Sequence, residues 1–412
     1  MSAANIFTMA ILGSAFTCLG INICLTFMAL RQHFADTCAA NASQNTLDAP
    51  LVSVLVPCFN EQVVIGETLQ HILRSRWASL EVIAINDGSI DDTLAIMRRV
   101  AQSDRRVRVI NLVNEGKAQA LNAGLLHASG DFILTVDADT VLEPDTIGHL
   151  MARLAPQMAA VSANILVYNR SSRLTRLQET EYVLLQNLER RCLAAFGAAT
   201  VVPGACGLWR RSWISDCCGF SSRTVAEDQD LTLRVQARGA RIGFAPKAYA
   251  RTEAVCSLRG LVKQRTRWSL GLLQCLLQAS GYTLGKRGMA LVALLWMIKI
   301  IAPMMAALID LACASALISL AIDPQLFPVA QNVTYCWLSF VLVDLLIASA
   351  ALPMEPNASA HSVISLLVTR IFQRQLTAAA MTLAFRRLMG RRQLVWEVKH
   401  RTPIDLLAPL DR

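Results

Sequence analysis

The chain is expected to fold as an α/β domain with a mainly parallel sheet, flanked by transmembrane helices. Three observations point there. Apolar runs and helical stretches alternate between residues 51 and 136, a polar cluster follows each of the first four runs, and long apolar segments occupy both ends. Strands separated by helices of this length join by right-handed crossovers into a sheet covered on both faces. Ligands of such sheets gather beyond the carboxyl ends of the strands.

Residues 6–30 carry no charge and are followed by Arg31 and His33. That length spans a bilayer, and the stretch lacks the basic start and cleavage site of a signal peptide, so a first membrane helix ending in the cytosol is expected. Residues 31–50 are polar and read as a linker. The α/β domain is placed over residues 51–256. It opens with the buried-strand run at 51–57, then helix 61–74, strand 80–86, helix 91–101, strand 107–112, helix 117–128 and strand 131–136. Beyond it we expect a helix at 143–154, a strand at 159–168 and a long helix at 172–195. A strand at 200–203 should lead into Gly204-Ala205-Cys206-Gly207-Leu208-Trp209, and a helix at 229–238 should end at Gly239.

Residues 257–285 set Arg259, Lys263, Arg265 and Arg267 among leucines and Trp268, the make-up of an amphipathic helix in the membrane interface. Residues 289–322 are broken by Lys299 and Pro303 and read as an entry helix plus a span; 333–352 are a cleaner span in which Asp344 is the one charge. Residues 363–388 form a third membrane or interfacial helix, because Arg370 and Arg374 share one face, and 389–412 are a basic tail. If all three segments cross, the basic end lies outside, against the charge rule. Either the last one lies in the interface or one run is re-entrant.

Composition agrees. Hydrophobic residues make up 54% and charged ones 17%, the mark of membrane segments added to an ordinary domain. The net charge of +9 has no aromatic-interleaved basic patch behind it, and several Lys and Arg flank apolar runs. A lipid bilayer is therefore the expected partner, and nucleic acid is not. The twelve cysteines include no C-x-x-C pair, which argues against a zinc site or a disulfide framework and fits a reducing, cytosolic face.

The clusters carry the chemistry, and each has a plain alternative. Asp137-Ala138-Asp139 puts two carboxylates at a strand end, where Mg²⁺ or Mn²⁺ is held with help from substrate phosphates; alone, it could be a turn. Asp87 in Asn86-Asp87-Gly88-Ser89 is placed to accept from a nucleobase or ribose, or simply to make an Asp-Gly turn. Gly116-Lys117 opens a helix that favours anions, or an ordinary helix start. Glu227-Asp228 offers a general base, or acids that suit a helix dipole. Cys206-Gly207 could be a backbone turn and Arg267-Trp268 an interfacial anchor.

Six motifs in order decide between these alternatives: Pro57-x-x-Asn60-Glu61, Asn86-Asp87-Gly88-Ser89-x-Asp91-Asp92-Thr93, Asn114-x-Gly116-Lys117-Ala118-x-Ala120-Leu121-Asn122, Asp137-Ala138-Asp139, Glu227-Asp228-x-Asp230-Leu231-Thr232 and Gln264-x-x-Arg267-Trp268. Together they resemble the membrane-embedded family-2 glycosyltransferases of the processive polysaccharide synthase type. Within that type the chain resembles the poly-β-1,6-N-acetylglucosamine synthases, with chitin-oligosaccharide, hyaluronan and cellulose synthases as relatives. The resemblance covers roughly residues 52–268.

It implies a GT-A (nucleotide-diphospho-sugar transferase) fold and inverting transfer, at the cytosolic face of the plasma membrane, from a UDP-sugar to a growing β-linked glycan. N-acetylglucosamine is the expected sugar, and non-processive transfer to a membrane lipid is the alternative. It implies Asp228 as catalytic base and Asn60, Glu61, Asp87, Lys117, Asp137 and Arg267 at the donor. Asp137 and Asp139 would hold Mg²⁺ or Mn²⁺. Gly204, Cys206, Gly207, Trp209, Glu227, Gln264 and Trp268 would shape and close the acceptor site, with small membrane or export proteins as possible partners. Phe59, Ile90 and Ala226 depart from the commoner Tyr, Ser or Thr, and Thr or Gly. With one amino-terminal span and no regulatory domain after the membrane segments, control by a bound nucleotide messenger is not expected.

Overall fold

A computed structural model describes residues 49–279, 286–322, 327–351 and 360–390, together with residues 20, 27, 30 and 354. Most of the expected first membrane helix (6–30) and linker (31–50), and nearly all of the basic tail (389–412), lie outside the described residues.

Eight strands form one sheet: β1 Val52–Cys58, β2 Leu80–Asp87, β3 Val107–Leu112, β4 Phe132–Val136, β5 Val141–Leu142, β6 Met158–Val167, β7 Cys206–Arg210 and β8 Arg241–Thr252, in the order β3-β2-β1-β4-β7-β6-β8-β5. β1 pairs in parallel with both β2 and β4, and β2 with β3, as the alternation requires. β7 runs antiparallel to β4 and to β6, which makes the sheet mixed.

Period-two alternation divides the strands between two cores. Val52, Val54, Val56, Val82, Ala84, Leu134 and Val136 face one core, shared with α1 (Ile65–Leu73), α2 (Thr93–Ser103) and α4 (Thr146–Arg153). Leu55, Ile83, Ile85 and Ile133 face the other, shared with α3 (Lys117–His127), α7 (Arg211–Asp216) and α8 (Glu227–Ala237).

Three segments differ from the sequence reading. The strand expected at 200–203 lies further on, as β7. Val202 N–H donates to Thr232 Oγ1 and Pro203 has no N–H to give, so this stretch is held by α8 and turns at Pro203 before pairing begins. The helix expected at 229–238 starts inside the acidic cluster, at Glu227. The long helix at 172–195 is α5 (Arg173–Glu181) and α6 (Asn187–Ala195), joined by a π-helical turn at Tyr182–Gln186.

After the sheet come α9 (Leu258–Ala279), α10 (Lys286–Trp296), a second π-helical turn at Met297–Ile301, α11 (Ala302–Ile322), α12 (Phe327–Ala351) and α13 (Ala360–Met389). Among the described residues one helical stretch, Gly288–Ile322, is long and apolar enough to cross a membrane. Four charges in these helices, Asp310, Asp344, Arg370 and Arg374, pair with one another. Arg374 bonds Asp310 at 3.1 Å and also reaches Asp344, Arg370 meets Asp344, and Trp337 Nε1 donates to Asp310 Oδ1 at 3.0 Å. One ion network thus ties α11, α12 and α13, as apolar surroundings demand of any charge placed there.

Candidate active site

The site lies beyond the carboxyl ends of β1, β2 and β4, against α8 and α9. The loop after β2 is held by a splint of hydrogen bonds. Asn60, at φ 56°, accepts from the Ile90 amide through Oδ1 and donates its own amide to Ser89 Oγ, both at 2.9 Å, while Glu61 N donates to Thr93 Oγ1. Asp87 is fully buried; its two carboxylate oxygens accept from the amides of Glu115 and Gly116, each at 3.0 Å. Burial raises its pKa and those amides oppose the rise. Gly88, at φ 71°, cannot be replaced cheaply, since a Cβ would stand 2.6 Å from the Asn114 nitrogen. Asn60, Glu61 and Asp87, expected at the donor, hold the loops around the site, and Asp87 presents Lys117 by pinning the turn before it.

The reactive groups line a cavity of about 340 Å³. Lys117, the first residue of α3, donates a hydrogen bond to Asp137 Oδ1 at 2.6 Å and forms an ion pair with Glu227 Oε1 at 2.9 Å. Gly204 N–H donates to Asp228 Oδ2 at 3.0 Å, and Gln229 N–H to Asp228 Oδ1 at 2.8 Å. Glu227 and Asp228 open α8, where the helix dipole favours negative charge.

This packing sets the proton affinities. Burial opposes the Lys117 ammonium, but Asp137, Glu227 and Asp228 outweigh it and hold the group charged. Burial likewise pushes the Glu227 carboxyl up, and Lys117 more than reverses it, leaving its pKa below the ordinary value. For Asp228, burial and then the Glu227 charge win, and its pKa is pushed up to about 6. Of two adjacent carboxylates, one is a committed anion and the other is poised near neutrality.

Gly204 makes this cluster possible. A Cβ there would lie 2.7 Å from Lys117 Nζ, and 3.5 and 3.6 Å from carboxylate oxygens of Asp228 and Asp137. Gly204→Ala is expected to displace Lys117 and lower kcat/KM roughly tenfold or more with little change in Tm, checked by steady-state kinetics beside a thermal melt.

Across the cavity, α9 supplies Gln264, Arg267 and half-buried Trp268. Gln264 Oε1 is buried with no hydrogen-bond partner among the described residues, a carbonyl left for a ligand donor. Behind Trp268 the Arg265 guanidinium stacks 4.3 Å from the indole centre and bonds Glu181 Oε2 at 2.6 Å. Sequence reasoning missed Arg265 and Glu181. Arg265 fills a free position of its motif, and Glu181 belongs to none; only the excess of Arg beside Trp was a signal. Arg265→Met is expected to loosen Trp268 and raise the acceptor KM several-fold, with the donor KM nearly unchanged in kinetics that vary each substrate separately.

Three expected acceptor residues need correction. Trp209 is 1% exposed and packed in the core shared with α8, so its ring is closed to a sugar. Cys206 is fully buried, and Gly207 makes room for Val202, whose side chain would stand 2.4 Å from an added Cβ. All three belong to β7, whose alternation sends them into the sheet's cores rather than the cavity.

Asp137 and Asp139 both line the cavity, Asp137 with a third of its side chain exposed and Asp139 nearly buried. No set of three or more His, Cys, Asp or Glu able to hold a metal ion exists among the described residues. Two carboxylates without a full protein cage suit Mg²⁺ or Mn²⁺, which take their remaining ligands from substrate phosphates and water. The residues therefore fit a divalent ion that arrives with its diphosphate.

Residues 49–271, more than half of the chain, match the family described as glycosyltransferase like family 2. The chain belongs to that family. This family-2 member is 31% identical over 229 residues to the poly-beta-1,6-N-acetyl-D-glucosamine synthase of Staphylococcus aureus strain COL, covering 55% of this chain and 56% of that one. It is 34% identical over 243 residues to an N-acetylglucosaminyltransferase of Bradyrhizobium diazoefficiens, covering 56% of this chain and 50% of that one. The chain thus spans about half the length of the curated relatives it matches. Its fold is shared with a mannosyltransferase from Pyrobaculum calidifontis solved in complex with GDP-Man and Mn²⁺, at a TM-score of 0.60 and 19% identity, covering 93% of this chain and all of that one.

Proposed function

We propose that this glycosyltransferase moves N-acetylglucosamine from UDP-N-acetylglucosamine to the growing end of a β-linked glycan, with inversion, and repeats the step on the same chain. The observation that carries the reading is Asp228, a partly buried carboxylate with raised proton affinity, across one cavity from Trp268 and beside the Lys117–Asp137 pair. Two relatives whose names specify N-acetylglucosamine support the choice of sugar.

In this reading Asp228 takes the proton of the attacking acceptor hydroxyl, on the ring face opposite the departing UDP. Lys117 and Arg267 meet the negative charge that grows on the diphosphate, in a site partly shielded from water. Trp268 lies under an apolar face of the acceptor ring while Gln264 takes a donor from its rim. Asp137 and Asp139 would hold Mn²⁺ or Mg²⁺, which would supply further neutralisation of the leaving group; the Mn²⁺ of the mannosyltransferase complex favours such an ion.

The same reading places the catalytic part (51–256) on the cytosolic side of the plasma membrane. Helix α9 lies in the interface, α10 to α13 cross or enter the bilayer, and small membrane or export proteins assist. Incubating the purified protein with a panel of UDP-sugars, then sizing and enzymatically digesting the product, tests the proposal. A polymer of N-acetylglucosamine is expected; a single transferred sugar on a lipid overturns the repeated step.

A further inference from the structure

The cavity does not end at Trp268. It continues past Gln186 and Glu189 to Lys299 and to Thr377 and Met381 of α13, so the donor end and the apolar helices line one space. At that far end Lys299 pairs with Glu189 Oε2, while Glu189 Oε1 is buried and has no hydrogen-bond partner among the described residues. Lys299 sits in irregular helix, and Glu189 stands in the first turn of α6 directly after another such segment. Lys299 lies within the π-helical turn at Met297–Ile301, and Gln186 closes the one at Tyr182–Gln186, three positions before Glu189. Such turns cost regular hydrogen bonding and recur where a side chain must be re-aimed for function. None of the motifs includes either residue, and the transfer chemistry does not use them.

Building on the repeated-transfer reading, we propose that the Glu189–Lys299 pair is an outer acceptor subsite that binds the hydroxyl and amide rim of a sugar already incorporated, one or two units behind the reacting end. The chemistry favours a neutral sugar. A hydroxyl both donates and accepts, and the pair offers it an unspent carboxylate oxygen beside an ammonium that keeps N–H donors to spare. Leu272 and Met381 provide the apolar wall that a pyranose face needs. A phosphate headgroup is disfavoured. Lys299 is already matched by Glu189 and Arg265 by Glu181, the Arg190 guanidinium bonds the side chains of Asn187 and Gln186, and the orphan Glu189 oxygen repels an anion.

The test uses the full chain in detergent with saturating UDP-N-acetylglucosamine and β-linked N-acetylglucosamine oligosaccharides of increasing length, scoring addition of one sugar to each. In the natural chain kcat/KM should rise with acceptor length. Lys299→Gln and Glu189→Gln should each cut it roughly tenfold for the longer acceptors, the scale of one hydrogen bond to a charged group, and far less for the shortest. UDP release to water without acceptor shows that each variant still folds around its donor. A drop by one common factor at every length means a structural role and overturns the subsite, as does an unchanged dependence on length. A selective loss of affinity for a polyprenyl phosphate acceptor overturns it in favour of a lipid headgroup. An enzyme that stops after one sugar overturns the repeated-transfer reading alone, because supplied oligosaccharides report this contact in any single addition.

Discussion

Replacing Asp228 by Asn should cut kcat by about 10²- to 10⁴-fold, the usual worth of a positioned general base, while Tm shifts little. Asparagine keeps the side chain's shape, and its carbonyl oxygen can still accept from Gly204 N–H or Gln229 N–H. It cannot take a proton. The pH profile tests the same group independently. A base acts only when deprotonated, and burial together with Glu227 pushes the Asp228 pKa up to about 6, with Lys117 opposing. In the natural enzyme kcat should therefore climb about tenfold per pH unit below 6 and level off above it. Glu227→Gln removes the neighbouring negative charge and should move that limb to lower pH. Full activity in Asp228→Asn, or a limb that does not respond to Glu227, would remove the base from this carboxylate.

Much of this site could be read from the sequence, for a physical reason. Strand ends of a parallel sheet must deliver their loops to one edge, so the clusters at 60–61, 86–93, 114–117 and 137–139 had to converge once the alternation was recognised. Which face each side chain takes was harder to foresee. Cys206, Gly207 and Trp209 follow Gly204 so closely that they read as one acceptor loop. Yet strand pairing begins at Cys206, and from there each side chain is committed to one of the sheet's cores. Lys299, Arg370 and Arg374 looked like flaws in apolar runs. Their partners Glu189, Asp344 and Asp310 are 110, 26 and 64 residues away, and no local pattern encodes such pairings.

Replacing Lys117 by Met should be nearly as damaging to turnover and, unlike the Asp228 change, should also affect the resting protein. Lys117 is the cation between Asp137, Glu227 and Asp228, so its removal leaves three carboxylates facing one another without a counter-charge. Stability should fall by about 1–2 kcal/mol, less than the ~3–5 kcal/mol of a fully buried pair because Lys117 and Asp137 keep part of their side chains in solvent, read as a lower denaturant midpoint. Turnover should fall by about 10²- to 10³-fold, as for other fixed charges aimed at a leaving group. The Asp228 limb of the pH profile should move upward, because Lys117 now lowers that pKa and would no longer do so. Glu227→Gln in the same chain supplies the control. Removing the orphaned carboxylate should restore most of the lost stability and bring the limb back down, yet recover little turnover, since the charge that meets the diphosphate is still missing. Recovery of turnover in that double variant would mean that Lys117 serves only to neutralise Glu227.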